Sequence, residues 1–325
     1  METNVYAGFV ACEWDRSDIL SSIPSATWMG ENWSNPFVCD YSFREVRDLW
    51  HANRDCLSLS FHGVGHEYWL HGRRSRSEFY DRHGRIRDLA TLKEHFEAFY
   101  TILEHNGISI VPELFIPPAL KYNIGHEFSE LLTNYNIRYV ITRFSDIQDM
   151  QICNIDFFHA SDGIILFERG RDPVLWNEVA AKPTVQFAQP ILPLHWANIL
   201  HADSARNSEV VDLWIQYIRE GIQANRGVLT RNIRDCMAQY AFLKTATLAM
   251  SGTHRLVIDL QKLKNNFNEF AVSEFMILLD KSRPVAGVRG MARYSLTSYN
   301  EGINIFSFIP ESNKRYCVID FIQNG

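Results

Sequence analysis

From about residue 4 to about residue 227 the chain alternates apolar, strand-like runs with amphipathic stretches of helical period, and nothing else restricts its fold as much. "NVYAGFVACEWD" (4–15) reads as a strand running into acids, and "WSNPFVCD" (33–40) as a second short apolar run. "SFREVRDLWHAN" opens on Ser42 with Glu45 three residues on, a capping-box spacing before a helix, and "CLSLSF" follows as a third strand. "TLKEHFEAFYTILEHNG" (91–107) sets Leu92, Phe96, Phe99, Ile102 and Leu103 on one face between a Thr cap and an Asn-Gly stop. "ISIVPELFIPP" reads as a strand closed by two prolines, "GHEFSELLTNYNI" as a helix, and "RYVITRF" and "GIILFE" as strands. "PTVQFAQPILPLHW" reads as an extended run and "SEVVDLWIQYIREGIQANRG" as a long amphipathic helix. Six or seven such units predict parallel βαβ connections in a (β/α) barrel-like fold, with the chemistry at the carboxyl ends of the strands.

After the helical segment "NIRDCMAQYAFLKTATLAM" the texture changes to short runs separated by turn residues, among them "THRLVIDL", "FMILLD", "INIFSFIP" and "RYCVIDF". This predicts a barrel domain over residues 1–235 and a small all-β domain, sandwich-like, over 236–325. The net charge of -6 comes from mixed charges rather than a block, which argues against a nucleic-acid groove or a polybasic membrane face. Six cysteines without a CxxC pair, mostly in apolar runs, read as reduced, buried thiols. No basic leader and no apolar run of ~18 residues is present, so a soluble, cytoplasmic protein is expected.

The chemistry-bearing feature is "CLSLSFHGVGHEYW" (56–69), where a strand ends in two histidines four residues apart. On an extended backbone His62 and His66 would stand ~13 Å apart, too far to share an ion with Zn–N bonds of ~2.1 Å. Gly63 and Gly65 permit a turn that lets them converge. The plain alternative is a glycine-rich corner with both imidazoles bonded to backbone. A third ligand is expected at another strand end, because a hydrolytic site combines three protein ligands with an open position. Glu13 and Asp15, two apart in "CEWD", and Asp40 after the second apolar run are the candidates, each otherwise a solvated loop acid or cap. His195, in "ILPLHWANIL", suits a general acid at the end of a late strand, or else a hydrogen-bonded core histidine.

Taken together, "HGVGH", the acid-ended first strand, "FIPP" and "LPLHW" resemble, over roughly residues 4 to 222, the polysaccharide deacetylase (NodB-homology) family. That family comprises metal-dependent N- or O-deacetylases on a distorted (β/α) barrel. The resemblance implies a divalent ion, zinc foremost, on His62, His66 and Asp15, with Glu13 as base and His195 as acid, acting on an acylated sugar or glycan. The departures are specific. No "TFDDG" is present, so Glu13-Trp14-Asp15 stands for the aspartate pair and the assignment of ligand and base among Glu13, Asp15 and Asp40 stays open. Phe115 occupies the place of the family's arginine, with Arg143 in "ITRF" as a substitute, and Gly63 supplies no hydroxyl. A non-catalytic carbohydrate-binding barrel, and a glycoside hydrolase pairing Glu13 with Glu113 or Asp40, are the competing classes. The β domain is the candidate surface for homo-oligomer formation or carbohydrate contact.

Overall fold

A computed structural model describes residues 5–10, 40–70, 73–75, 77–123, 125–147, 158–183, 191–225, 227 and 229–322. The chain divides into two compact units, 2–229 and 230–325. The first runs β1 (Val5–Phe9), α1 (Asp40–Asn53), β2 (Leu57–Phe61), β3 (Tyr68–Leu70), β4 (Arg73–Ser75), α2 (Leu89–His105), β5 (Leu114–Phe115), α3 (His126–Asn134), β6 (Tyr139–Thr142), β7 (Phe158–Ser161), β8 (Ile164–Glu168), α4 (Trp196–Ile199) and α5 (Asn207–Ala224). One sheet orders its strands β1-β2-β5-β6-β8-β7, with the first five parallel and β7 antiparallel on β8.

The expected alternation is therefore present as a mixed α/β unit around a five-stranded parallel sheet. Two antiparallel additions have no counterpart in the periodicity reading. The β3–β4 pair joins Tyr68 to Ser75. The β7–β8 hairpin turns at Asp162-Gly163, both at positive φ (50° and 75°), as a two-residue hairpin turn requires.

Helix α2 shows why the sheet buries one face. Leu92, Phe96, Phe99, Ile102 and Leu103 are all 0–2% exposed. The cap is Asp88 rather than Thr91: its carboxylate accepts the Thr91 N–H at 2.9 Å, satisfying a first-turn donor. Phe61, at the end of β2, packs among Phe96 (ring centroids 4.4 Å), Phe99 (4.7 Å), Phe115 (5.4 Å) and Phe79 (5.6 Å). Burying each such ring stabilises by roughly 1.5–3 kcal/mol, so this cluster anchors the carboxyl ends of β2 and β5.

The second unit comprises α6 (Ile233–Thr245), β9 (Thr247–Met250), β10 (Arg255–Asp259), α7 (Gln261–Asn266), β11 (Phe275–Asp280), β12 (Val285–Arg289), β13 (Met291–Ser298), β14 (Ile303–Pro310) and β15 (Tyr316–Phe321). Its strands form two antiparallel sheets, β12-β15-β10-β9 and β11-β14-β13. The unit is not all-β. Phe242 of α6 stacks on Phe275 at 4.8 Å, and α7 buries Leu263, so helices supply part of its core. Among the cysteines, Cys317 is buried but Cys56 is exposed, against the expectation for the latter. No helix among the described residues is long and apolar enough to cross a membrane.

Candidate active site

The carboxyl ends of the parallel strands bring five segments to one rim: Val10 after β1, His62 after β2, Ile116 after β5, Arg143 after β6 and Arg169 after β8. Strand β2 stops where its next residues meet a buried carboxyl group. Glu78, wholly buried, accepts the Val64 N–H at 2.9 Å and the Gly65 N–H at 3.1 Å. It also accepts from Nδ1 of the equally buried His95 at 2.7 Å. Two successive backbone donors aimed at one carboxylate make a small anion nest, and the imidazole completes the set. Gly63 sits at φ +87°, and a Cβ on it would collide with Glu78 Oε2. The segment carrying Glu78 is itself pinned: Arg87 donates to the Glu78 carbonyl (2.9 Å), the Ser75 hydroxyl (2.8 Å) and the Ser77 carbonyl (3.1 Å). Its guanidinium carbon stands 3.6 Å from the Tyr68 ring centroid, and Tyr68 stacks on His95.

This turn brings the two motif histidines together. His62 and His66 lie with ring centroids 5.0 Å apart at 73°, and His66 takes a positive φ of 61°. The Nδ1 of His62 donates to the Ile116 carbonyl at 2.5 Å, which leaves Nε2 carrying the lone pair. Burial holds the His62 imidazole neutral down to about pH 4; the Ile116 bond opposes this, while His66 and Arg169 reinforce it. A neutral imidazole whose far nitrogen bonds a backbone carbonyl is the form in which histidine ligates a metal. His62 thus presents a free Nε2, with the His66 ring beside it.

The acids expected as a third ligand are not described at the side-chain level. Glu13 and Asp15 lie outside the described residues, as does the Asp40 side chain, although Asp40 itself opens α1. No group of three His, Cys, Asp or Glu suited to a metal occurs among the described residues. Strand β1 nevertheless passes against the site: a Cβ on Gly8 would come within 3.3 Å of the His62 ring. "CEWD" begins at Cys12, two residues after Val10.

His195 differs from its expected setting. Residues 191–195 form no strand; His195 is exposed and precedes α4, its N–H bonded to Asn198 Oδ1 at 2.9 Å, so it is neither a strand end nor a core residue. Partial desolvation lowers its pKa, Arg169 lowers it further, and Asp172 opposes both. Arg169, 7% exposed, thus acts electrostatically on both His62 and His195. It bonds Asp172, which also takes Arg143 at 3.3 Å. Arg143 stands on the rim directly after β6. Glu113 is exposed and pairs through its carbonyl with Arg138 and Tyr139 in strand extension.

Glu78, Arg169 and Asp172 carry no motif that marks them in the sequence. One signal does point to His95: it falls at helical spacing on the apolar face between Leu92 and Phe96, where an uncompensated polar side chain is costly. Comparison of the chain with protein-family models, curated proteins and solved structures finds no match.

Proposed function

We propose that the chain is a divalent-metal-dependent hydrolase that removes an acyl group, acetyl foremost, from an amino sugar or glycan, on a parallel sheet curved as a distorted (β/α) barrel. The observation that carries this reading is the convergence of His62 and His66 at 5.0 Å, with His62 fixed as the neutral Nδ1–H tautomer by Ile116. His62, His66 and Asp15 are the residues assigned to hold the ion. When bound, zinc or a similar ion polarises an acyl carbonyl and lowers the pKa of its water toward neutrality.

The chain's own groups divide the remaining work. Gly63 and Gly65 let the backbone turn, and Glu78 keeps it turned, so both imidazoles are pre-set rather than ordered on binding. Glu13 is assigned to accept a proton from the attacking water. His195 is assigned, in its protonated form, to pass a proton to the leaving amine or alkoxide; partial desolvation and Arg169 lower its pKa and so make that form the readier donor. Arg169 biases both histidines toward their neutral forms.

The test is metal content in protein never exposed to a chelator, measured for the natural chain and for His62→Ala. About one divalent ion per chain, lost in His62→Ala, together with acetate release from N-acetylated chito-oligosaccharides or acetylated xylan, is the expected result. A chain that carries well under one ion, with His62→Ala no different, overturns the reading.

A further inference from the structure

An open cleft of about 710 Å³ lies beside the rim, lined by Arg143, Arg171, Asp172, Trp176, Glu178 and Lys182 among others. Three features distinguish it from an ordinary surface hollow. First, the loop that forms its wall is held from beneath. The buried Asn198 donates to the carbonyls of Leu175 (2.8 Å) and Glu178 (3.0 Å), and Trp214 Nε1 donates to the Asn198 carbonyl at 3.0 Å. Secondly, this anchored loop leaves the Trp176 side chain 63% and the neighbouring Leu175 70% exposed. An indole kept in water on a fixed backbone offers a flat apolar face with a polar edge. Thirdly, the lining carries three cations, Arg143, Arg171 and Lys182, against two carboxylates, Asp172 and Glu178. Asp172 is already committed to Arg143 and Arg169, and Asp146 to Arg143 at 3.7 Å. Lys182 has no carboxylate partner among the described residues, and the buried Nε of Arg143 has no hydrogen-bond acceptor.

From these we infer that the cleft is a subsite for an anionic sugar residue, whose ring stacks on Trp176 while its acidic group meets Lys182 and the Arg143 side of the wall. Arg143 directly follows β6, and Asp172 is bonded to Arg169 directly after β8. The cleft therefore opens from the rim that carries the histidines, and it would hold a unit of a glycan neighbouring the one that reacts. The inference rests on the hydrolase reading only in taking the ligand to be a sugar. Carboxylate and sulfate ester share the chemistry a cationic wall recognises.

The experiment is calorimetric titration of the full chain with three probes. These are a trigalacturonate, the same trimer with its carboxyls reduced to hydroxymethyl groups, and that reduced trimer sulfated at the 6-positions. Binding of either anionic trimer about tenfold or more tighter than the reduced one, weakening as salt is raised, is expected. Trp176→Ala should weaken the anionic trimer about tenfold and Lys182→Ala several-fold, and both side chains are exposed enough to be replaced without unfolding the chain. Equal affinity for all three probes, no binding of any, or full binding in Trp176→Ala overturns the subsite. Titration of His62→Ala separates this outcome from the fate of the metal site. Retained anionic binding there supports the cleft whether or not the chain holds metal, and binding lost in His62→Ala but kept in Trp176→Ala overturns it.

Discussion

The carboxyl group of Glu78 occupies the space into which a side chain on Gly63 would project. The glycine is thus required twice, for its backbone angle and for the oxygen beside it. Gly63→Ala is expected to lower unfolding stability by about 2–4 kcal/mol. The left-handed conformation costs ~1–2 kcal/mol and displacement of a carboxylate held by three donors supplies the rest. Urea unfolding of the two proteins checks this; a loss below about 1 kcal/mol would show that Glu78 can retreat freely.

Glu78→Gln keeps the shape of the side chain and changes one oxygen into a donor. That amide N–H2 must face at least one of the Val64 N–H, the Gly65 N–H and the His95 ring. Destabilisation by about 2–3 kcal/mol is expected, the cost of opposing buried donors. The same substitution should broaden or shift the His66 imidazole resonances while leaving signals of the C-terminal unit unmoved.

Acid should act on the first unit through His62. Its folded pKa of about 4 lies below the 6.5 of an ordinary imidazole, so the unfolded chain binds the proton more readily between these values. The neutral-imidazole contribution is fully present above pH 6.5, diminishes as pH falls, and is gone below about pH 4. It amounts to roughly 3 kcal/mol at most. In His62→Asn the stability curve should flatten between these limits, which urea midpoints at a series of pH values will read.

Arg169→Met removes a buried cation that acts on two histidines. Both His62 and His195 should then titrate at higher pH, since a neighbouring positive charge disfavours their protonated forms. Two-dimensional NMR of the imidazoles follows both at once. A rise at one histidine alone would place Arg169 out of reach of the other.

Phe61→Ala empties the centre of the aromatic cluster that joins β2, β5 and α2. A cost of about 3–5 kcal/mol is expected, as for other fully buried rings. Calorimetric melting should show it in the first unit and not in the second.

Much of this architecture is legible in the residues themselves. Period and burial agree along α2 because one apolar face meets the sheet. The pairing of His62 with His66 is legible too, since only a glycine-flanked turn brings residues four apart together at a strand end. Glu78 is not, because its partners are backbone N–H groups that leave no trace in side-chain pattern. Nor is the exposure of His195, since "LPLHW" reads as a buried run while the N-cap position before α4 turns its side chain toward solvent. Asp88 rather than Thr91 caps α2 because the helix begins earlier, at Leu89, where Thr91 donates both its N–H and its hydroxyl to the Asp88 carboxylate.

The His62–His66 corner closes on a group 14 residues downstream of Val64, which is in turn completed by His95, 17 residues further. A peptide ending before residue 78 would contain the whole motif and lack its shape. The corner's full set of partners consequently includes one carried by α2, and transplanting "HGVGH" alone onto another strand end would carry over the letters of the site without its geometry.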